Sequence, residues 1–133
     1  MNLVRVQTEA GFKNFSPTTM EDLVTSHFDW VFKVMNVFVE DPDTCIRFTE
    51  GVFRALKIES DLTEKGVYRA SVKQIRRIPQ KRRFLDGVHH EVMMCWCLKE
   101  TTDLRYAEIA GLAGLNKKQV KLNVAKVRYL LPG

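Results

Sequence analysis

With 133 residues, 45% of them hydrophobic, this chain has room for one ordinary domain or two very small ones, and enough apolar side chains for a core. It has no apolar run long enough to cross a bilayer, and MNLVRVQTEAGFKNF lacks the basic start and apolar stretch of a secretion signal, so a cytoplasmic protein with no membrane partner is expected. Three cysteines, Cys45, Cys95 and Cys97, are an odd count that argues against a fully paired disulfide framework, and a net charge of +5 permits a polyanionic partner without requiring one.

The first 15 residues give no clear element; LVRVQT reads as a short strand or an ordered arm. Thr18-Thr19-Met20-Glu21 has the form of a capping box and predicts a helix to about Val39, with Val24, Phe28, Val31, Met35 and Phe38 on its buried face. Asp41-Pro42, a cap followed by proline at the first helical position, starts a second helix. Ile46, Thr49, Val52, Phe53 and Leu56 form its inward stripe, and Gly51, unfavourable inside a helix, implies close packing. Ser60 or Asp61 caps a third helix, with Tyr68, Val72 and Ile75 inward, Lys65, Arg69, Lys73, Arg76 and Arg77 outward, and Pro79 as its stop.

Past the basic tract QKRR, the stretch from about Leu85 to Lys99 contains VMMCWCL, which is apolar on every side and predicts a buried central helix whose strongest stripe is Val88, Val92, Cys95 and Trp96. KETTD is a polar loop. In LRYAEIAGLAGLNKKQVKLNVAKVRYLL, Tyr106, Ile109, Ala110 and Ala113 share a face, Gly114 ends that helix, Leu115 fills the corner and Asn116 caps the next. Val120, Val124, Val127 and Leu131 then repeat toward the core, which places Lys118, Lys121, Leu122, Ala125 and Tyr129 broadly opposite, with Gln119 and Lys126 on one flank. The expected fold is all-α: a compact helical protein ending in a helix-turn-helix.

Charge is segregated along the chain. Glu40 to Glu64 carries seven acidic residues against three basic; Lys65 to Arg83 carries eight basic and no acidic; no carboxylate side chain follows Glu108. Two positive surfaces suit a partner that offers phosphates at two places, and the plainer reading of both is a solvated helix face. A helix that presents Lys118, Gln119 and Lys121 near its N-terminus has the groups to enter a major groove, although helical hairpins with a glycine turn also occur as plain structural units.

Other constellations carry less. His89-His90 with Cys95 and Cys97 diverge around a helix, where a zinc site needs ligands on one face, so buried thiols are expected and no metal or cofactor. No phosphate loop, nucleophile elbow or capped carboxylate pair gives catalysis a seat, so the chain is not expected to be an enzyme.

The C-terminal stretch resembles the promoter-binding region of sigma-70 family initiation factors, especially the small extracytoplasmic-function group, with Leu104, Tyr106, Glu108, Ile109, Ala110, Gly114, Leu115, Val120, Lys121, Lys126 and Arg128 matching that pattern. HHEVMMCWCLKETTD is similar to the preceding helix, and LVTSHFDWVFKVMNVFVEDPDTCIRFTEGVFRAL to the first two helices of the family's core-polymerase-binding region. The resemblance spans roughly residues 20 to 131. It implies an N-terminal region, 1–83, of the polymerase-binding type and a C-terminal region, 84–133, of the promoter-binding type.

The departures are several. The polymerase-gripping positions of the second helix hold Thr44, Ile46, Arg47 and Glu50, with charge lost or reversed. About thirty residues separate Phe53 from Leu85, too few for the family's promoter-melting helix and linker, and Tyr68 is the only aromatic between Phe53 and Phe84. Arg105 stands where a capping Ser or Thr is usual, which leaves Asp103 or a shifted start as the cap, and Asn123 stands where an arginine is common.

On this reading the chain is a sigma-factor-like regulator of transcription that binds duplex DNA. Lys117, Lys121, Lys126 and Arg128 face phosphates, with Arg105 in support, and Lys118, Gln119 and Leu122 face bases. The implied further partners are core RNA polymerase or a sigma or anti-sigma protein. The alternative is a protein-interaction adaptor on a sigma-like scaffold without promoter recognition. A third reading, a dimerising repressor or activator, needs Trp30, Phe32 and Phe38 to form an exposed surface.

Overall fold

In the computed structural model, which describes residues 19–79 and 88–130, every regular element is an α-helix. In chain order these are α1 (Met20–Phe38), α2 (Pro42–Glu59), α3 (Glu64–Arg77), α4 (His90–Thr101), α5 (Tyr106–Ala113) and α6 (Lys117–Leu130). LVRVQT, the QKRR tract and Leu131 lie outside the described residues.

The first three helix starts follow their caps, with two corrections. The box at the head of α1 is one residue further on than expected: the Thr19 hydroxyl accepts from the Asp22 amide at 3.1 Å, and the Asp22 carboxylate accepts from the Thr19 amide at 3.2 Å. α2 starts as predicted, with the Asp41 carboxylate accepting from the Thr44 amide at 2.9 Å and Pro42 following. Neither Ser60 nor Asp61 caps α3. The Thr63 hydroxyl does so, accepting from the Gly66 amide at 2.9 Å, while Ser60 ends α2 at φ 55°. Asp61 is freed for an ion pair with Arg69 and accepts from the Thr63 hydroxyl at 3.0 Å.

Ser60 thus holds a left-handed conformation that costs an L-residue roughly 1–2 kcal/mol and glycine almost nothing. Ser60→Gly is expected to stabilise the fold by about 1 kcal/mol, read as a higher denaturant midpoint with an unchanged slope.

α1, α2 and α3 pack on one another, as do α4, α5 and α6, and α3 also meets α5. One hydrophobic core runs through both groups, from Leu23, Val31 and Met35 through Val52, Leu56 and Ile75 to Met94, Leu98, Ile109, Val120 and Val127. α4 is buried as predicted, with Val92, Met93, Met94, Cys95, Cys97 and Leu98 all inside. It starts at His90, later than Leu85, and runs through Lys99 and Glu100 to Thr101, which leaves 102–105 as the loop. Burial pushes the Cys97 thiol up to about 12, so it stays protonated at neutral pH.

Individual inward assignments shifted by one place. In α2, Cys45 is fully buried and Ile46 is exposed; in α1, Leu23 and Val34 join the core while Val24 and Phe28 are half-buried. Phe38 is buried, and Trp30 and Phe32 are half-buried against the core, so these three do not form the exposed apolar surface a dimer would need. Trp30 donates its indole N–H to the Thr101 hydroxyl at 2.8 Å and meets Tyr68 edge-on at 5.2 Å, tying α1 to the end of α4.

Gly51 has the close neighbour its position implied. A Cβ there would lie 3.0 Å from the Gln74 amide oxygen of α3. The absent side chain lets α2 and α3 approach.

Candidate nucleic-acid interface

α6 is set in place by α4, α5 and its own caps. Gly114, at φ 69°, ends α5; its amide returns to the Ala110 carbonyl, as does that of Leu115 at 3.0 Å. Two residues later the Asn116 side chain accepts from the Gln119 amide at 2.8 Å and starts α6. Val120, Val124 and Val127 are fully buried, as their spacing predicted. Asn123, two turns into α6, is also inside. Its side-chain amide donates to Cys95 Sγ at 3.5 Å and its oxygen accepts from Gln119 Nε2 at 2.9 Å.

Arg105 is itself the N-cap of α5, and Asp103 is not. The cap works from the far side: Glu108 accepts from the Arg105 amide at 2.7 Å. That bond, then the Arg105 guanidinium, holds the Glu108 carboxyl below its ordinary value.

The eight predicted contact residues divide by what they already touch. Lys117, Lys118, Lys121 and Lys126 are exposed, and no carboxylate among the described residues pairs with them. Lys121 lies 5.7 Å from the centre of the Tyr106 ring, which Lys99 approaches at 4.6 Å. Leu122 is 55% exposed, unusual for a leucine on a helix whose opposite side is core. Gln119 is exposed but tethered to Asn123. Arg128 is engaged with Glu100 at the end of α4, its Nε donating at 2.8 Å. Arg105 is exposed and makes a 3.4 Å contact with Glu108.

At 100° per residue, Lys118, Leu122, Ala125 and Tyr129 form the crest of α6; Lys117, Lys121 and Arg128 form one rim and Lys126 and Gln119 the other. Lys117 to Lys126 spans about 14 Å along the axis. The arrangement offers two basic margins to a polyanion, with a mixed apolar and polar ridge between them. Tyr129, which periodicity placed outward without a role, continues that ridge at 89% exposure.

The second basic block is different in space. Arg69 pairs with Asp61, Lys73 approaches Glu59 at 3.6 Å, and Arg76 grips Glu91 with two bonds of 2.9 and 2.7 Å. Arg76 also donates to the Ala113 carbonyl at 2.5 Å, so it fastens α3 to the start of α4 and the end of α5. Arg69, Lys73 and Arg76 of this block are therefore committed to the protein's own acids, while Lys65 and Arg77 are exposed without an ion pair among the described residues.

Comparison with known proteins returned no match to a protein family, to a curated protein or to a solved structure.

Proposed function

We propose that this chain is a sigma-factor-like regulator of transcription that binds duplex DNA, with α5 and α6 acting as a helix-turn-helix and α6 entering the major groove. One observation carries the reading: the four lysines of α6 are exposed and without carboxylate partners among the described residues, while Arg69, Lys73, Arg76 and Arg128 are paired. In the proposed complex the rims meet phosphates on either side of the groove, Lys118 donates to guanine or phosphate, and Leu122 contacts a thymine methyl. The resemblance of the α1–α2 segment to the family's polymerase-binding helices adds core RNA polymerase as a proposed second partner. The competing reading, an adaptor that has given up DNA, predicts no duplex binding at low salt.

Polarisation of a labelled duplex across a salt series separates the two. Each phosphate contact contributes roughly 0.9 to the slope of log affinity against log salt, so Lys117, Lys121 and Lys126 together give about 2.7. Glu100→Gln tests the role of Arg128 from the opposite direction. It releases that guanidinium from its carboxylate, and is expected to raise duplex affinity severalfold and steepen the slope by up to about one unit. Unchanged affinity would remove Arg128 from the interface.

A further inference from the structure

Between α2 and α3, on surface that the α6 reading leaves unused, lies an open groove of about 340 Å³. Arg47, Arg54 and Arg77 stand around it, Phe48, Ala55 and Ile58 supply its apolar wall, and Gly51 and Gln74 form its floor. No carboxylate lines it. Arg54 and Arg77 are exposed and have no ion pair among the described residues, in contrast to Arg69 and Arg76 on the same α3. Arg47 spends one donor on the Thr44 hydroxyl at 3.0 Å and keeps the rest. Ile58 is 76% exposed, the most exposed large aliphatic side chain among the described residues. Gln74 is only 8% exposed, lines the groove, and its side-chain amide makes no hydrogen bond among the described residues.

We propose that this groove is a docking site for an acidic amphipathic helix of a partner protein. Charge selects the occupant: three guanidiniums around an apolar wall, with no carboxylate among the lining residues, match a segment carrying carboxylates on either side of a large apolar side chain. The spacing is set by α2. Arg47 and Arg54 are two turns apart, about 10.5 Å, and Ile58 lies one turn beyond Arg54. A partner helix lying along α2 meets them with acidic residues seven apart and an apolar residue three or four from each. Phe48 and Ala55 receive that apolar side chain, Ile58 packs on a further apolar residue one turn past the carboxylate that meets Arg54, Arg47 and Arg54 take the two carboxylates, and Arg77 reaches a third from the α3 side. The surface is separate from α6, so it stands or falls independently of duplex binding.

The test is a displayed library of random 12-residue peptides selected on the full chain, followed by polarisation of the labelled consensus peptide. The expected consensus has Asp or Glu at positions i and i+7 and a large apolar residue at i+3 or i+4. Arg54→Glu and Arg77→Glu should each weaken its binding at least tenfold and Ile58→Ser at least threefold, while Lys118→Ala with Lys121→Ala leaves it unchanged. All the substituted residues are exposed, and superimposable thermal melts check that the fold survives. A selection that enriches nothing, a consensus without acidic bias, equal binding to the charge-reversed variants, or displacement of the peptide by duplex DNA would each overturn the proposal.

Discussion

Lys121→Ala is expected to lower duplex affinity about tenfold at moderate salt and to flatten the salt slope by about one unit, across all duplex sequences alike. The reason is positional. Lys121 sits on the rim of α6 beside the Tyr106 ring, exposed, with no carboxylate to satisfy it among the described residues. Its charge is available to a phosphate without breaking an existing pair. Lys118→Ala should behave differently, because Lys118 lies on the crest, where base edges would be read. Its loss is expected to narrow the gap between a preferred duplex and a random one. Reversing both charges, with Lys118→Glu and Lys121→Glu, should abolish binding at physiological salt. Since both side chains are in water, the unfolding free energy of each variant should match the parent within about 0.5 kcal/mol. A variant that lost binding and stability together would be reporting on the fold.

The complementary expectation concerns the support of α6. Leu98, on the buried helix α4, has no exposed surface, and α4 is a packing partner of α6. Leu98→Ala removes three carbons from a closed site and leaves a cavity, at a cost of about 2–5 kcal/mol. Against the 5–15 kcal/mol typical of a small domain that is a large fraction, and in a chain of this size a 3 kcal/mol loss lowers the thermal midpoint by about 10 °C. Duplex affinity measured well below the new midpoint should nonetheless stay within twofold of the parent, because the cavity lies behind the helix and the α6 lysines remain in water. A negligible change in midpoint would contradict the description of α4 as the centre of the core.

Local signals were readable where only one nearby residue could play the part. The Asp41-Pro42 start of α2, the Gly114 turn and the Asn116 cap rest on contacts within four residues, the valine repeat of α6 shows as a helical period, and the structure has each of them. The start of α3 was misassigned because Ser60, Asp61 and Thr63 can all cap. Asp61 has another role only because Arg69, a helix turn and more away, comes back to it. The stripe read on α4 held only in part, since nearly every side of the helix is apolar: Val92 and Cys95 are buried, Trp96 is half-buried and Val88 precedes the helix, while Thr101 at its end accepts from Trp30 of α1.

Charge misled more deeply. The acidic and basic blocks look segregated in sequence, yet Arg76 meets Glu91, Lys73 meets Glu59 and Arg128 meets Glu100, pairs formed by the fold. A count along the chain cannot separate those cations from the unpaired lysines of α6. The arginine groove was missed for the same reason. Its α2 side was visible as Arg47, Gly51, Arg54 and Ile58 on one helical face, but Arg77 and Gln74 come from α3.

The most direct test of the central claim is a backbone amide NMR titration of the labelled chain with a short duplex at 50 mM salt. Shifts concentrated on Lys117 to Lys126 and at the start of α5 are expected, with α2 and α3 undisturbed. Shifts concentrated on Arg47, Arg54 and Arg77, or no shifts at all, would contradict the claim.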